Sequence, residues 1–213
     1  FLVKGFVALP MAYILLLGDI DLSVGANVCL SGTIMGIVFN ATNNIWLAIL
    51  ACLACGTLCG AINGLILTRF TELAPMIVTL ATTTLYRGLS ERILAGESTK
   101  GMRNVEWFAK IYDLRFGPVP LLFVLFVIFA VVFGLVMHKT VFGRQMFAIG
   151  ANKKAAAYAG IKVEKVVIRT MLLSGAICGL TGLLLVGGTN HTLNAAIVDG
   201  RGFTAVMVSW LAK

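Results

Sequence analysis

Charged side chains are scarce in this sequence, where they make up only 12% of the 213 residues. Soluble domains carry roughly 25% charged residues, so this scarcity excludes an ordinary soluble globular protein. Hydrophobic residues account for 59% of the chain, and the mean hydropathy is +0.97. Long apolar runs alternate with short polar connectors, which predicts an all-α, polytopic bundle of membrane helices with discontinuous or re-entrant segments.

Residues that carry enzyme chemistry are also few. The two histidines, His138 and His191, are far apart in the sequence, and the five cysteines lie inside apolar runs. No Cys and His spacing typical of a metal finger occurs, and no Gly-rich phosphate loop ends in Lys-Ser or Lys-Thr. We therefore predict no metal, no cofactor and no catalytic residue, which makes a membrane-embedded enzyme a weak alternative.

Positive charge is in excess and is concentrated in the connectors. Lysine and arginine number 17 against 9 acidic residues, which gives a formal net charge of +8. In a soluble protein this excess would suggest a nucleic-acid partner, but basic connectors between apolar runs are typical of the cytoplasmic face of a membrane protein. We therefore predict no nucleic-acid partner. One stretch combines a single acid, Glu164, with Lys139, Arg144, Lys153, Lys154, Lys162, Lys165 and Arg169.

Residues 138–165, which we call the basic segment, form the predicted cytoplasmic loop of this stretch. Within it, Asn152 suits the N-cap of a helix, and the residues from Lys153 to Ala159 are mostly strong helix formers. Gly160 suits the position that follows a helix end. A helix of two turns is marginal by itself, so we expect it to be fixed by docking against a partner.

The chain starts and stops within apolar runs, at Phe1 and Lys213. We expect residues 1–213 to be a single transmembrane domain that is incomplete at both ends. The distribution of Lys and Arg places residues 96–117 and 188–202 on the outer side. Residues 105–112 have the apolar spacing of a short amphipathic helix at the membrane surface.

Two aspartates, Asp19 and Asp21, separate the first two apolar runs, within residues 18–25, which read GDIDLSVG. A charged residue costs about 2.5 to 3.5 kcal/mol at the centre of a bilayer. A break between two helices avoids that cost, with Gly18 in the turn and Asp21 as the N-cap of a helix that begins at Leu22. Structural capping and a role in the substrate pathway both remain open.

Small residues recur in two later runs. Asn63 lies in the run 45–67, and its buried amide needs a partner, so it serves either as an interhelical hydrogen-bonding residue or as pathway lining. Strips of glycine, where another helix can approach closely, are formed by Gly56, Gly60 and Gly64 and again by Gly175 and Gly179.

The helix predicted to open at Pro75 is unusually polar. Thr79 and Thr83 lie within it, and Arg87 follows one turn later. A proline is harmless in the first helical turn, where its missing N–H has no partner to lose. Because polar residues are costly against lipid, this helix is expected to face protein or water.

Several blocks of sequence occur in a fixed order that resembles the ribose-type membrane permeases of ABC importers. That family also handles other simple sugars and autoinducer-type molecules. The blocks are GDIDLSVG at 18–25, GAING at 60–64, PMIVTL at 75–80, Arg87-Gly88, FGR at 142–144, AIGAN at 148–152, KAA at 154–156 and AGI at 159–161.

The resemblance implies a permease subunit of an ATP-driven importer in a bacterial-type cytoplasmic membrane. Its implied partners are ATP-binding cassette ATPase subunits that hydrolyse the ATP, an extracytoplasmic solute-binding protein, a second permease as a homo- or heterodimer, and membrane lipid. The basic segment is then the coupling loop, and the residues expected to couple to the ATPase are Arg144, Asn152, Lys153, Lys154, Ala155, Ala156, Gly160 and Ile161. The residues expected in the substrate pathway or its polar packing are Asp19, Asp21, Ser23, Asn63, Thr79, Thr83 and Arg87.

One departure from the family pattern limits what is carried over. The related coupling loops have Glu where this chain has Lys154, so a salt bridge built on that Glu is not expected here. Two alternatives stay open. An ion-coupled secondary transporter would also have broken helices with carboxylates, and an importer permease of the same class could carry a nucleoside or an autoinducer-type substrate.

Overall fold

The computed structural model describes residues 2–94, 115–116 and 119–186, together with residues 207, 209 and 211. Within these ranges the sheet structure is limited to an antiparallel pair of two-residue strands, β1 (Arg115–Phe116) and β2 (Val119–Pro120). The all-α prediction is therefore confirmed. The helices in the described ranges are α1 (Leu2–Leu16), α2 (Val24–Thr42), α3 (Ile45–Arg69), α4 (Pro75–Leu94), α5 (Leu121–Lys139), α6 (Val141–Ala151), α7 (Lys153–Tyr158) and α8 (Val163–Leu184).

Four of these helices, α2, α3, α5 and α8, are long and apolar enough to cross a membrane, judged by length and composition. They have 19 to 25 residues, against about 20 for one span of a bilayer. The surface of α5 is formed by large apolar side chains, among which Phe123, Ile128 and Leu135 are 46 to 53% exposed. An extended apolar surface of this kind suits lipid, which confirms a multi-pass membrane protein.

The centre of the bundle is the contact between α3 and α8, where glycines of the two helices face each other. A Cβ atom on Gly56 would lie 2.5 Å from the carbonyl oxygen of Gly175 and 2.7 Å from the amide nitrogen of Gly179. A Cβ atom on Gly175 would lie 2.9 Å from the Cα of Gly60. Residues without side chains allow backbones to approach this closely, so the two predicted glycine strips form one interface.

Three connections lie at the same end of the bundle. Val24 at the start of α2, Leu67 near the end of α3 and Val167 near the start of α8 pack in one core cluster. The connections 17–23 and 70–74 and the basic segment adjoin these residues, so they share this end. We call it the basic end, and the excess of Lys and Arg predicts that it is cytoplasmic.

The basic segment contains one more helix than the sequence predicts. Thr140 caps α6, since its hydroxyl oxygen accepts a hydrogen bond from the N–H of Gly143 at 3.3 Å. Met146 and Ile149 of α6 are 0% and 2% exposed, in a cluster that includes Tyr13 of α1. Helices in proteins are stabilised mainly by packing of an apolar face, and here the packing partner comes from a distant part of the chain.

Two predicted features lie outside the described residues, namely the amphipathic helix at 105–112 and the outer connector at 188–202. Other predicted helix positions agree with the structure. The apolar run 45–67 falls within α3 (Ile45–Arg69), and Pro75 is the first residue of α4. The break between the first two apolar runs is confirmed as residues 17–23.

Candidate functional site

The break begins with a glycine-dependent helix end. Gly18 has a φ of 82°, in the left-handed region that glycine adopts without steric cost. Its N–H donates to the carbonyl of Leu15 at 3.0 Å, and the N–H of Asp19 donates to the carbonyl of Ile14 at 3.2 Å. This pair of bonds is a Schellman motif, which satisfies carbonyl groups left free at the end of α1. The chain is thereby turned away from the α1 axis before the first aspartate.

Asp21 fixes the second half of the break, although not as predicted. Its carboxylate accepts hydrogen bonds from the N–H of Ser23 at 2.8 Å and from the hydroxyl of Ser23 at 2.6 Å. The helix α2 begins at Val24, so the prediction that Asp21 caps a helix starting at Leu22 is wrong. The aspartate bonds the backbone two residues ahead, as in an Asx turn, and this interaction keeps Leu22 outside the helix.

Asp21 is buried, with 4% of the residue exposed, and its carboxylate therefore depends on these bonds. Burial raises the pKa of Asp21, and the two hydrogen bonds from Ser23 act in the opposite direction. A buried carboxylate without such donors would be strongly destabilised. Asp21 and Ser23 thus act as one unit.

A chain of buried hydrogen bonds connects this unit to α3 and α4. The Asn63 amide nitrogen donates to the Ser23 hydroxyl at 2.7 Å. The Tyr86 hydroxyl lies 3.3 Å from the Asn63 amide oxygen and 3.0 Å from the carbonyl of Cys59, to both of which it can donate. Ser23 and Asn63 are each 1% exposed and Tyr86 is 2% exposed. We call Asp21, Ser23, Asn63 and Tyr86 the polar chain.

Thr79 makes a second link between the break and α4. It is fully buried, and its hydroxyl lies 3.2 Å from the carbonyl of Ile20 and 3.0 Å from that of Pro75. Thr83 is half-buried and donates to the carbonyl of Thr79 at 2.6 Å. Arg87, one turn further on, is exposed. The structure therefore brings Asp21, Ser23, Asn63 and Thr79 together, whereas Thr83 and Arg87 lie toward the surface of α4.

Tyr86 is a member of the polar chain that the sequence analysis missed. A signal for it was available, because Thr79, Thr82, Tyr86 and Ser90 recur at helical spacing and are all buried. A polar stripe that is buried along one helix indicates interhelical hydrogen bonding. The position of its partners on α2 and α3 is a tertiary feature that this spacing does not reveal.

The short helix of the basic segment, α7, is capped at both ends. The Asn152 side-chain oxygen accepts from the N–H groups of Lys154 and Ala155 at 3.1 and 3.0 Å. At the other end Gly160 has a φ of 83°. The N–H groups of Gly160 and Ile161 donate to the carbonyls of Ala157 and Ala156, which is again a Schellman motif. The predicted N-cap, helix and glycine stop are confirmed.

Most of α7 is presented at the surface. Ala156 is 4% exposed and is the one helix residue packed into the bundle. Lys153, Lys154 and Ala155 are exposed, and Tyr158 is 92% exposed. The capped helix thus has a protruding aromatic ring at its C-terminal end. Tyr158 is not among the residues predicted to couple to the ATPase.

The basic segment rests directly on the break. Gly150 of α6 is so close to the carbonyl oxygen of Leu16 that any side chain there would collide with it. Ile149 beside it packs in one cluster with Leu17. Asp19 is 7% exposed, and burial raises its pKa while the nearby positive charge of Lys153 lowers it. Backbone contact, apolar packing and charge therefore all join the two elements.

In the part of the chain that the structure describes, no three His, Cys, Asp or Glu residues cluster in a way that could hold a metal ion. The residues of the polar chain are instead bonded to one another. These hydrogen bonds join the break to α3 and α4.

Comparison with known proteins gives the family. Residues 1–212 match the family described as "Branched-chain amino acid transport system / permease component". The chain belongs to this permease family. The ribose-type resemblance is also confirmed by individual members.

The L-arabinose transport system permease protein of Escherichia coli (strain K12) is 36% identical over 183 residues, 85% of this chain and 55% of that protein. The ribose import permease protein of Bacillus subtilis (strain 168) is 36% identical over 184 residues, 86% of this chain and 56% of that protein. The autoinducer 2 import system permease protein of Escherichia coli (strain SMS-3-5 / SECEC) is 33% identical over 208 residues, 93% of this chain and 62% of that protein.

The chain thus spans somewhat more than half the length of these relatives. No solved structure matches it. Each of these relatives is named as a permease protein.

Proposed function

We propose that this chain forms the membrane passage of an ATP-driven importer for a simple sugar or an autoinducer-type solute. The family description and the names of the arabinose, ribose and autoinducer 2 relatives support this proposal. The bacterial cytoplasmic membrane is the proposed location. An extracytoplasmic binding protein delivers the solute, a second permease completes the passage, and ATPase subunits on the cytoplasmic side supply the energy.

The observation that carries the proposal is the exposed helix α7. A helix of six residues has almost no stability of its own, yet Asn152 and Gly160 fix both of its ends. Its exposed residues are Lys153, Lys154, Ala155, Ala157 and Tyr158. We propose that this surface docks into a groove of the ATPase. The two lysines favour a groove that carries acidic side chains, because charge complementarity selects partners.

The contact between the basic segment and the break supplies a route for motion. If the ATPase displaces α6, the close contact between Gly150 and the carbonyl of Leu16 would transmit the movement to the end of α1. If it displaces α7, the attraction between Lys153 and Asp19 would transmit the movement to the break. The break is bonded to α3 and α4 through the polar chain. We propose that these helices then move with it, and that packed, bonded elements switch between two arrangements instead of deforming gradually.

Two roles are proposed for the polar residues. Asp21, Ser23, Asn63 and Thr79 are buried and bonded to one another or to the break, which supports a role in polar packing. Asp19 is proposed to be a link to the basic segment. Thr83 and Arg87 lie toward the surface of α4, and we propose that they line the solute pathway, where weak hydrogen bonds suit a neutral polyol.

The proposal is tested by identifying the energy source that drives solute uptake. The permease is reconstituted into vesicles with its ATPase on one side and the solute-loaded binding protein on the other, and uptake of labelled arabinose or ribose is measured. Uptake that requires ATP and the binding protein is expected. Uptake driven by a proton or sodium gradient without ATPase would contradict the proposal and favour the secondary-transporter alternative.

A further inference from the structure

A groove lies on the lateral surface of the bundle, between α5 and α8 and next to α6. It has a volume of about 330 Å³. Apolar side chains from α5 and α8 form most of its wall, among them Val132, Val136 and Leu173, and Arg169 is the charged residue in its lining. Val132 is 48% exposed, so the groove is open at the surface of the chain. Apolar walls with one charged group are typical of ligand pockets.

Arg169 lies within α8, less than two turns from the basic end. It is the seventh residue of α8, which begins at Val163, and six residues of helix correspond to about 9 Å. Its side chain is exposed. A charge at this depth is costly against hydrocarbon, but the long arginine side chain can reach toward the interface and leave its apolar stem in the membrane.

The surroundings of the groove favour a negatively charged ligand. His138 and Lys139 end α5, and Lys162 and Lys165 flank the start of α8, against one acid, Glu164. Basic residues beside the membrane attract anionic lipids. Arginine also matches phosphate geometry better than lysine does, because its guanidinium donates two parallel hydrogen bonds.

We propose that this groove binds an anionic phospholipid, with its phosphate on Arg169 and one acyl chain along Val132, Val136 and Leu173. The anionic headgroup is attracted by the positive charge at the basic end, and the acyl chain packs on the apolar wall of the groove. The single cationic residue in an otherwise apolar lining favours an anionic headgroup with an apolar chain.

The position of the groove connects the lipid to the basic segment. Phe142 of α6 lies in the lining, and Tyr13, also in the lining, donates its hydroxyl to the carbonyl of Phe133 across α1 and α5. A bound acyl chain would contact α6 at Phe142 and hold it against α1 and α5. A lipid bound in the groove would thereby stabilise the packing of α6 against the break.

The test is direct lipid binding by the detergent-purified full permease, assembled with its ATPase. Native mass spectrometry is used to compare phosphatidylglycerol with phosphatidylcholine of the same acyl chains. One bound phosphatidylglycerol with about fivefold preference over phosphatidylcholine is expected, the effect of one cationic residue near the membrane surface. Equal binding of the two lipids would overturn the proposal.

Two pairs of variants locate the site. Arg169→Gln should abolish the preference, whereas Arg69→Gln, an exposed arginine at the end of α3, should keep it. Val132→Trp should fill the groove and lower binding of both lipids. Val131→Trp is its control, since Val131 is 54% exposed and is not in the lining. A preference that survives Arg169→Gln would refute the site, and Arg169→Lys should retain most of it.

Folding and assembly are controlled separately. Thermal unfolding of each variant is measured in detergent, and if Arg169→Gln does not fold, Arg169→Met replaces it as the variant that removes the charge. Binding by the isolated permease that disappears in the assembled transporter would mean that protein covers the groove, which would overturn the proposal. The lipid preference of the isolated permease is measured without ATPase, ATP or solute, so its failure is distinguishable from a failure of the proposed importer function.

Discussion

The contact between the basic segment and the end of α1 can be tested by adding one methyl group at Gly150. In Gly150→Ala the new Cβ would collide with the carbonyl oxygen of Leu16, a backbone atom that cannot rotate away. Overpacking of this kind costs about 1 to 3 kcal/mol. Alanine in place of glycine within a helix stabilises the helix by up to about 1 kcal/mol. With the full gain subtracted, we expect a net loss of up to about 2 kcal/mol in the free energy of unfolding, localised where α6 contacts α1.

The assay for Gly150→Ala combines stability with coupling. Thermal unfolding in detergent should show a lowered midpoint, and reconstituted vesicles should show ATP hydrolysis that is no longer matched by solute uptake. Gly134→Ala in α5 is the matched control, because a Cβ there meets no atom within 4 Å. It should be neutral or slightly stabilising. If the two variants have the same midpoint and the same ratio of uptake to hydrolysis, the contact with Leu16 does not hold the segment.

Three further predictions test the polar chain and α7. Asn63→Leu removes the hydrogen bonds to Ser23 and Tyr86. Because such bonds in membranes average about 0.6 kcal/mol each, the free energy of unfolding should fall by about 1 kcal/mol. An unchanged thermal midpoint would show that the polar chain does not stabilise the fold. Asn152→Ala removes the α7 cap, worth about 1 kcal/mol, and should reduce uptake per ATP hydrolysed, whereas Asn152→Asp, which keeps the cap, should not. Reversal of charge at Lys153 and Lys154 should leave the permease in the membrane but weaken its co-purification with the ATPase, and full co-purification would exclude a role for these charges.

The features predicted correctly from the sequence are those fixed by local interactions. The span α3 follows from its apolar run, and α7 follows from Asn152, an alanine-rich stretch and Gly160. Gly18 ends α1 for the same local reason. Capping and left-handed turns involve residues close in sequence, so the amino-acid types alone are informative.

The features that were missed depend on distant contacts. The helix α6 is stabilised by packing of Met146 and Ile149 against α1, and no local signal identifies that surface. The start of α2 was misplaced because Asp21 bonds Ser23 in a turn and does not cap Leu22. Tyr86 joins the polar chain only because α4 packs beside α3. In each case the tertiary partner decides the local structure.

The central claim is that α7 docks on an ATPase, and cross-linking tests it most directly. Tyr158→Cys places a thiol at a position that is 92% exposed, and Phe70→Cys, 57% exposed in the connection between α3 and α4, is the control at the same end. In membranes that contain the whole transporter, we expect Tyr158→Cys to cross-link to the ATPase subunit in an ATP-dependent yield that exceeds the yield from Phe70→Cys. No cross-link from Tyr158→Cys, or one that is equal at both positions and insensitive to ATP, would contradict the account.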